Sequence, residues 1–299
     1  MARPNLLLCF DAFGTLFKPR FPVAHQYGQV ARQCGITGFS ESELQSHLAA
    51  AFKHETKENP NYGRETGLGA TKWWTNVIHR TFTPLLNGRP LPADLAPKLL
   101  DRFSSCKAYD TEKNLVSTLR SVRQRGPRLA FDRVLIGVVT NSDDRVPSIL
   151  SSFGLNVSPL HFGAEDGLYV SGEMYDIDFH CMSYHAGVEK PDPRIFQAAE
   201  HMLAKVLAAD EAHKTNGAAP DTKSWRKMYL GDEYAKDVVG AQRAGWSPVL
   251  LDPNDKATNI PFLEECNHSI DDIFEKRLVV RVRSIQNLAT WLVNGSYEA

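Results

Sequence analysis

The chain has 299 residues, 42% of them hydrophobic and 23% charged, a composition that suits one large globular domain or two smaller ones. A formal net charge of -1 creates no long-range field for nucleic acid or an anionic membrane, and no apolar run reaches the ~20 residues of a membrane span. Five cysteines, an odd number with no Cys-x-x-Cys spacing, argue against a disulfide frame or zinc site and for reduced thiols in the cytoplasm.

The first element is a strand. Leu6, Leu7, Leu8, Cys9 and Phe10 run unbroken into Asp11, as a strand buried on both faces does. It begins so near the first Met that no secretory leader is expected. Gly14 permits a sharp turn at its end, and Pro19 and Pro22 mark a joint. Four helical segments follow. Val23, Tyr27, Val30, Ala31 and Cys34 share one helical face. Ser40 and Glu43 have capping-box spacing ahead of Leu44, Leu48 and Phe52. Trp73, Trp74, Val77 and Ile78 belong to a third segment, and Leu95, Leu99, Leu100 and Phe103 to a fourth. With no strand pattern among them, residues 20–107 read as an all-helical insertion.

From Thr111 the pattern alternates. Leu115, Leu119 and Val122 line a helix, and residues 134–139 form a second buried strand. Helices around Ile149 and around Ile195 to Met202 come next. Met228, Tyr229 and Leu230 form a third strand, residues 238–244 a helix, and residues 248–251 and 278–282 the last strands. Leu288 and Leu292 belong to a closing helix. The polar stretch 208–223, with Gly217 and Pro220, reads as a surface loop. Strands alternating with helices predict an α/β fold with a parallel, doubly wound sheet.

The buried strands run into polar residues. The first ends at Asp11, and the second in Thr140, Asn141 and Ser142. Lys190 precedes Pro191, and Gly231 leads to Asp232 and Asp237. Parallel strands point the same way, so these endings are expected at one edge of the sheet, where ligands bind. Each residue also has a plainer reading: Asp11 as a turn former, Thr140 or its neighbours as helix caps, Lys190 as a solvated lysine, Asp232 and Asp237 as helix-start acids.

The series Asp11-x-x-Gly14-Thr15, Thr140-Asn141, Lys190, Gly231-Asp232-x4-Asp237 resembles the four motifs of the haloacid dehalogenase (HAD) superfamily. Residues 20–107 resemble the helical cap of its C1 class. The resemblance implies a Rossmann-like core of residues 1–19 and 108–299 with a cap at 20–107. It implies Asp11 as nucleophile, Thr140, Asn141 and Lys190 on a phosphoryl group, and Mg²⁺ held by Asp11, Asp232 and the Phe13 backbone carbonyl. Asp237 would then orient Lys190 or metal-bound water. The substrate implied is a small phosphorylated molecule.

One position departs from the pattern. Phosphatases of this superfamily carry a second aspartate, a general acid and base, where this chain has Phe13. Such help is typically worth ~10²–10⁴-fold in rate. The 2-haloacid dehalogenases carry an aromatic residue there, because halide leaves without a proton, but they lack the Gly231-Asp232 pair and use no metal. Three readings therefore stand: a Mg²⁺-dependent phosphoryl-transfer hydrolase, a metal-free dehalogenase, and a weakly catalytic binding protein. Outside the motifs, Trp73 or Trp74 could contact substrate and His54 could supply a proton. Gly63, Gly67 and Gly69 suit a loop that adapts.

Overall fold

The computed structural model describes residues 3–124, 129–165, 168–211, 221–266 and 268–294. Among them are strands β1 (Leu6–Phe10), β2 (Phe17–Pro19), β3 (Tyr109–Thr111), β4 (Val134–Thr140), β5 (Phe179–Met182), β6 (Arg226–Gly231), β7 (Ser247–Leu251) and β8 (Val280–Val282). β2 and β3 pair with each other. The other six form one parallel sheet in the order β5-β4-β1-β6-β7-β8. Taken by themselves these six run 3-2-1-4-5-6, the doubly wound order, which reverses between β1 and β6. Their sequences explain the arrangement. β1 and β4 are buried at every residue, as parallel strands covered on both faces require.

Cα packing divides the chain into two units. The first takes the described residues of Met1–Phe17, Thr111–Ser142 and Gly154–Ala299, and contains the whole six-stranded sheet. On one face Phe196, Ala199, Met202 and Leu203 of the helix Arg194–Glu211 pack with Cys9, Phe179, Tyr229 and Trp246. Each large apolar side chain buried in this way contributes about 1.5–3 kcal/mol. Single bridges from His161 to His180 and from Phe262 to Arg281 cover β5 and β8, the two edges where bare backbone would invite foreign strands.

The second unit is Lys18–Asp110 with Asp143–Phe153. Its longer helices are Val23–Gln33, Glu41–Glu58, Ala70–Phe82 and Leu95–Phe103. Ser40 and Glu43 close a reciprocal capping box at the start of the second. Trp73 is buried, and its indole donates to Asn59 O at 2.9 Å. Trp74 is half-buried; its indole donates to the Asp143 carboxylate, and the Arg145 guanidinium lies over its ring at 4.4 Å. These contacts hold the helix Val146–Ser152 in this unit, whereas its sequence position suggested the sheet domain. His54 is exposed on its helix. Before Gly63, Asn61 and Tyr62 both occupy the left-handed region, with φ of 47° and 56°.

Other differences from the sequence expectation are local. β5 has no counterpart in it, being four residues long behind a turn-rich stretch. The helix Arg194–Glu211 runs through the first part of the expected 208–223 loop, because Val206 and Leu207 continue its buried face. Residues 212–220 of that loop lie outside the described residues.

Candidate functional site

Asp11 follows β1 and Asp232 follows β6, so the two flank the point where the strand order reverses. Register fixes their level: Phe10 pairs with Leu230, and the Asp11 N–H donates to Leu230 O at 2.9 Å. The turn after Asp11 closes through Gly14 N–H to Phe17 O at 2.8 Å, with Gly14 at φ 85°. A Cβ on Gly14 would stand 2.5 Å from the Asp232 carboxylate carbon. Glycine there admits both the conformation and the acid. Thr15 donates its hydroxyl to Asp232 Oδ1 at 3.3 Å.

After β6 a π-helical turn, Tyr234–Val238, carries Asp237 back toward the strand end. A Cβ on Gly231 would lie 2.6 Å from the Asp237 Cβ, so the missing side chain leaves the space Asp237 fills. Asp237 Oδ2 accepts from the Glu233 N–H at 2.9 Å. Carboxylate oxygens of Asp11, Asp232 and Asp237 lie within 4.8 Å of one another.

Lys190 points into this group and is buried. Its ammonium donates to Asp11 Oδ1 at 2.7 Å, Asp237 Oδ1 at 2.7 Å and the Tyr229 hydroxyl at 2.8 Å. These three acceptors use all three protons. Asn141 holds the Lys190 main chain from both sides. Its amide donates to Lys190 O at 3.0 Å and accepts from Lys190 N–H at 2.7 Å. Thr140, at the end of β4, is buried in the strand next to β1. Phe13 is half-buried in the turn, its ring edge-on to Phe17 at 4.7 Å.

Electrostatics follow from this crowding. Three carboxylates against one ammonium leave two negative charges in excess. The Asp232 carboxyl, open to solvent on one side, is pushed up to about 6, first by partial desolvation and then by the Asp11 and Asp237 charges. Burial raises the Asp237 carboxyl; Lys190 draws it back and Asp11 opposes that. Burial alone would lower Lys190, but the Asp11 and Asp237 charges outweigh it and hold the ammonium protonated. Burial, reinforced by Asp237 and Asp11, drives the Tyr229 phenol well above its ordinary value.

This donor set fits Mg²⁺, which takes hard oxygen ligands and uses one or two carboxylates with water and substrate oxygens. All three side chains offer oxygen, the excess charge matches a divalent cation, and exposed Asp232 leaves an open side. Asp11, Lys190, Asp232 and Asp237 thus stand together, with Asn141 bracing the lysine from behind. The sequence places Tyr229 only within the third strand. Its one signal is general: a buried tyrosine hydroxyl needs a partner.

No protein-family model matches the chain. A haloacid dehalogenase-like hydrolase domain-containing protein 3 of Bos taurus is 31% identical over 271 residues, covering 88% of this chain and 91% of the relative. A 2-haloacid dehalogenase of Pseudomonas syringae pv. Tomato DC3000 superposes with a TM-score of 0.54 at 17% identity, covering 98% of each chain. A HAD phosphatase of Thermococcus onnurineus gives 0.51 at 16%, covering 97% of this chain and 99% of that one. At such identities the two structures speak for the fold alone. The relative, the doubly wound sheet and the four motif residues at its carboxyl edge agree: the chain belongs to the haloacid dehalogenase-like hydrolases of the HAD superfamily.

Proposed function

We propose that this hydrolase carries out Mg²⁺-dependent phosphoryl transfer from a small phosphorylated substrate to water, with Asp11 as nucleophile. The observation that carries the reading is the excess negative charge of Asp11, Asp232 and Asp237 around one buried ammonium. Without a cation that charge would repel a phosphoryl dianion. In this reading Asp11, Asp232 and the Phe13 carbonyl hold Mg²⁺, which when bound neutralises the carboxylates and the phosphoryl oxygens. An Asp11 oxygen attacks phosphorus in line, forming an acyl phosphate as the bond to the leaving group breaks. The fixed positive charge of Lys190, and the Thr140 hydroxyl, stabilise the charge spread over the phosphoryl oxygens. Asp237 keeps Lys190 in place. Water then attacks phosphorus, releasing phosphate and restoring the Asp11 carboxylate.

Phe13 narrows the substrate. It has no proton to give, so a leaving group stable as an anion suits this site better than an alkoxide. The same residue favours a second reading, a 2-haloacid dehalogenase in which Asp11 attacks carbon and halide leaves unprotonated. We take the first reading because the metal-fitting carboxylates serve no step of the second. Among the described residues no helix is long and apolar enough to cross a membrane. The partner proposed is a small phosphorylated molecule, and the free cysteines support the cytoplasm as the compartment.

The test is a screen of phosphorylated compounds with Mg²⁺ or chelator, run beside chloride release from a short 2-chloro acid. Mg²⁺-dependent phosphate release supports phosphoryl transfer. Metal-independent chloride release supports the second reading, and tight binding of phosphorylated compounds without turnover would make the chain a binding protein.

A further inference from the structure

Lys190 owes its direction to two posts fixed to the backbone. Asp237, one acceptor of its ammonium, is tied to the Glu233 N–H. Tyr229, the other, donates its own hydroxyl proton to Val139 O at 2.7 Å, one residue before Thr140. The phenol thus reaches from β6 past β1 to β4. Tyr229 pairs in register with Cys9 of β1, and its ring packs edge-on against Phe196 at 5.0 Å. An ammonium is tetrahedral, so once two N–H bonds are fixed the third has one direction left. Here that direction ends on Asp11 Oδ1.

We propose that Tyr229 is a positioning residue for Lys190: its hydroxyl accepts one ammonium proton, gives its own to Val139 O, and so aims the remaining N–H at the Asp11 oxygen, holding the positive charge beside the phosphorus that Asp11 would attack. The proposal rests on the phosphoryl-transfer reading for its consequence, but not for its geometry. A hydroxyl suits this task better than a third carboxylate, because it accepts the proton without adding negative charge. Packing alone does not account for the residue, since phenylalanine would fill the same space against Phe196 and leave an ammonium proton and the Val139 carbonyl without this partner.

The test compares Tyr229→Phe with wild type in the full chain, labelled with ¹⁵N-lysine. The Lys190 ammonium, assigned by its loss in Lys190→Gln, should give an exchange-protected Nζ–H cross-peak in wild type. Tyr229→Phe should shift that peak or remove it, with backbone amide spectra otherwise retained. With p-nitrophenyl phosphate and Mg²⁺, kcat should fall about ten- to hundredfold while KM changes little, the loss expected when Lys190 loses a charge-assisted hydrogen bond that orients it for the transition state. An unchanged cross-peak overturns the proposal. So does a change in KM with kcat intact. If wild type hydrolyses no phosphate ester, the phosphoryl reading fails separately, and the cross-peak still decides whether Tyr229 holds the lysine.

Discussion

Gly14 and Asp232, 218 positions apart in sequence, are packed so closely that a Cβ on the glycine would lie 2.5 Å from the acid's carboxylate carbon. The turn after β1 and the turn after β6 therefore need each other's shape. Gly14→Ala should push Asp232 aside and strain a backbone at φ 85°. The expected result is a stability loss of about 1–3 kcal/mol with weaker Mg²⁺ binding. Denaturant unfolding and calorimetric Mg²⁺ titration read the two effects; unchanged affinity would mean that Asp232 does not hold the ion.

Asn141 gives a second prediction. Its amide makes two hydrogen bonds to the Lys190 main chain, at 3.0 and 2.7 Å. Asn141→Ala should release that segment at a cost of about 1–3 kcal/mol and lower kcat, because Lys190 then has a loosened base. Steady-state kinetics beside an unfolding curve check it. A rise in KM alone would instead give Asn141 the substrate contact first expected of it.

Phe13→Asp restores a proton donor two residues from Asp11. Hydrolysis of alkyl phosphates should rise by as much as ~10²-fold, and that of aryl phosphates much less. Comparing the two substrate classes measures this. Equal response of both would show that leaving-group protonation does not limit the enzyme.

His180 sets an acid limit on stability. Burial, with the nearby His161 and His185, lowers its pKa from the ordinary 6.5 to about 3. Between those values the unfolded chain binds a proton that the folded chain refuses. Stability therefore rises with pH across this window: the contribution is fully present above about 6.5 and is lost on acidification toward 3, a span worth up to a few kcal/mol on the order of 1.4 per unit. His180→Leu should flatten the dependence between pH 7 and 5 in denaturant unfolding.

The three strand endings at Asp11, Thr140 and Asp232 were legible because a parallel sheet sends every carboxyl end to one edge, whereas Lys190, past the helix that follows β5, stood out only by its place in the order of the motifs. Asp11, Lys190, Asp232 and Asp237 could be found from that rule together with the order of the motifs. Tyr229 could not, since a tyrosine within a buried strand looks like packing and its partner Lys190 lies 39 residues away. The bond between Trp74 and Asp143 was hidden for the same reason, joining residues 69 apart that no local pattern links. β5 escaped because four residues carry too short a periodicity to stand out. Pairing at a distance is settled by packing, which the one-dimensional pattern only bounds.

In the proposed reaction Asp11 and a divalent cation act together, which p-nitrophenyl phosphate hydrolysis by wild type and Asp11→Asn, each with Mg²⁺ or with chelator, decides. Phosphate release is expected only when the carboxylate and Mg²⁺ are both present. Hydrolysis that persists in Asp11→Asn, or that is indifferent to Mg²⁺, would contradict it.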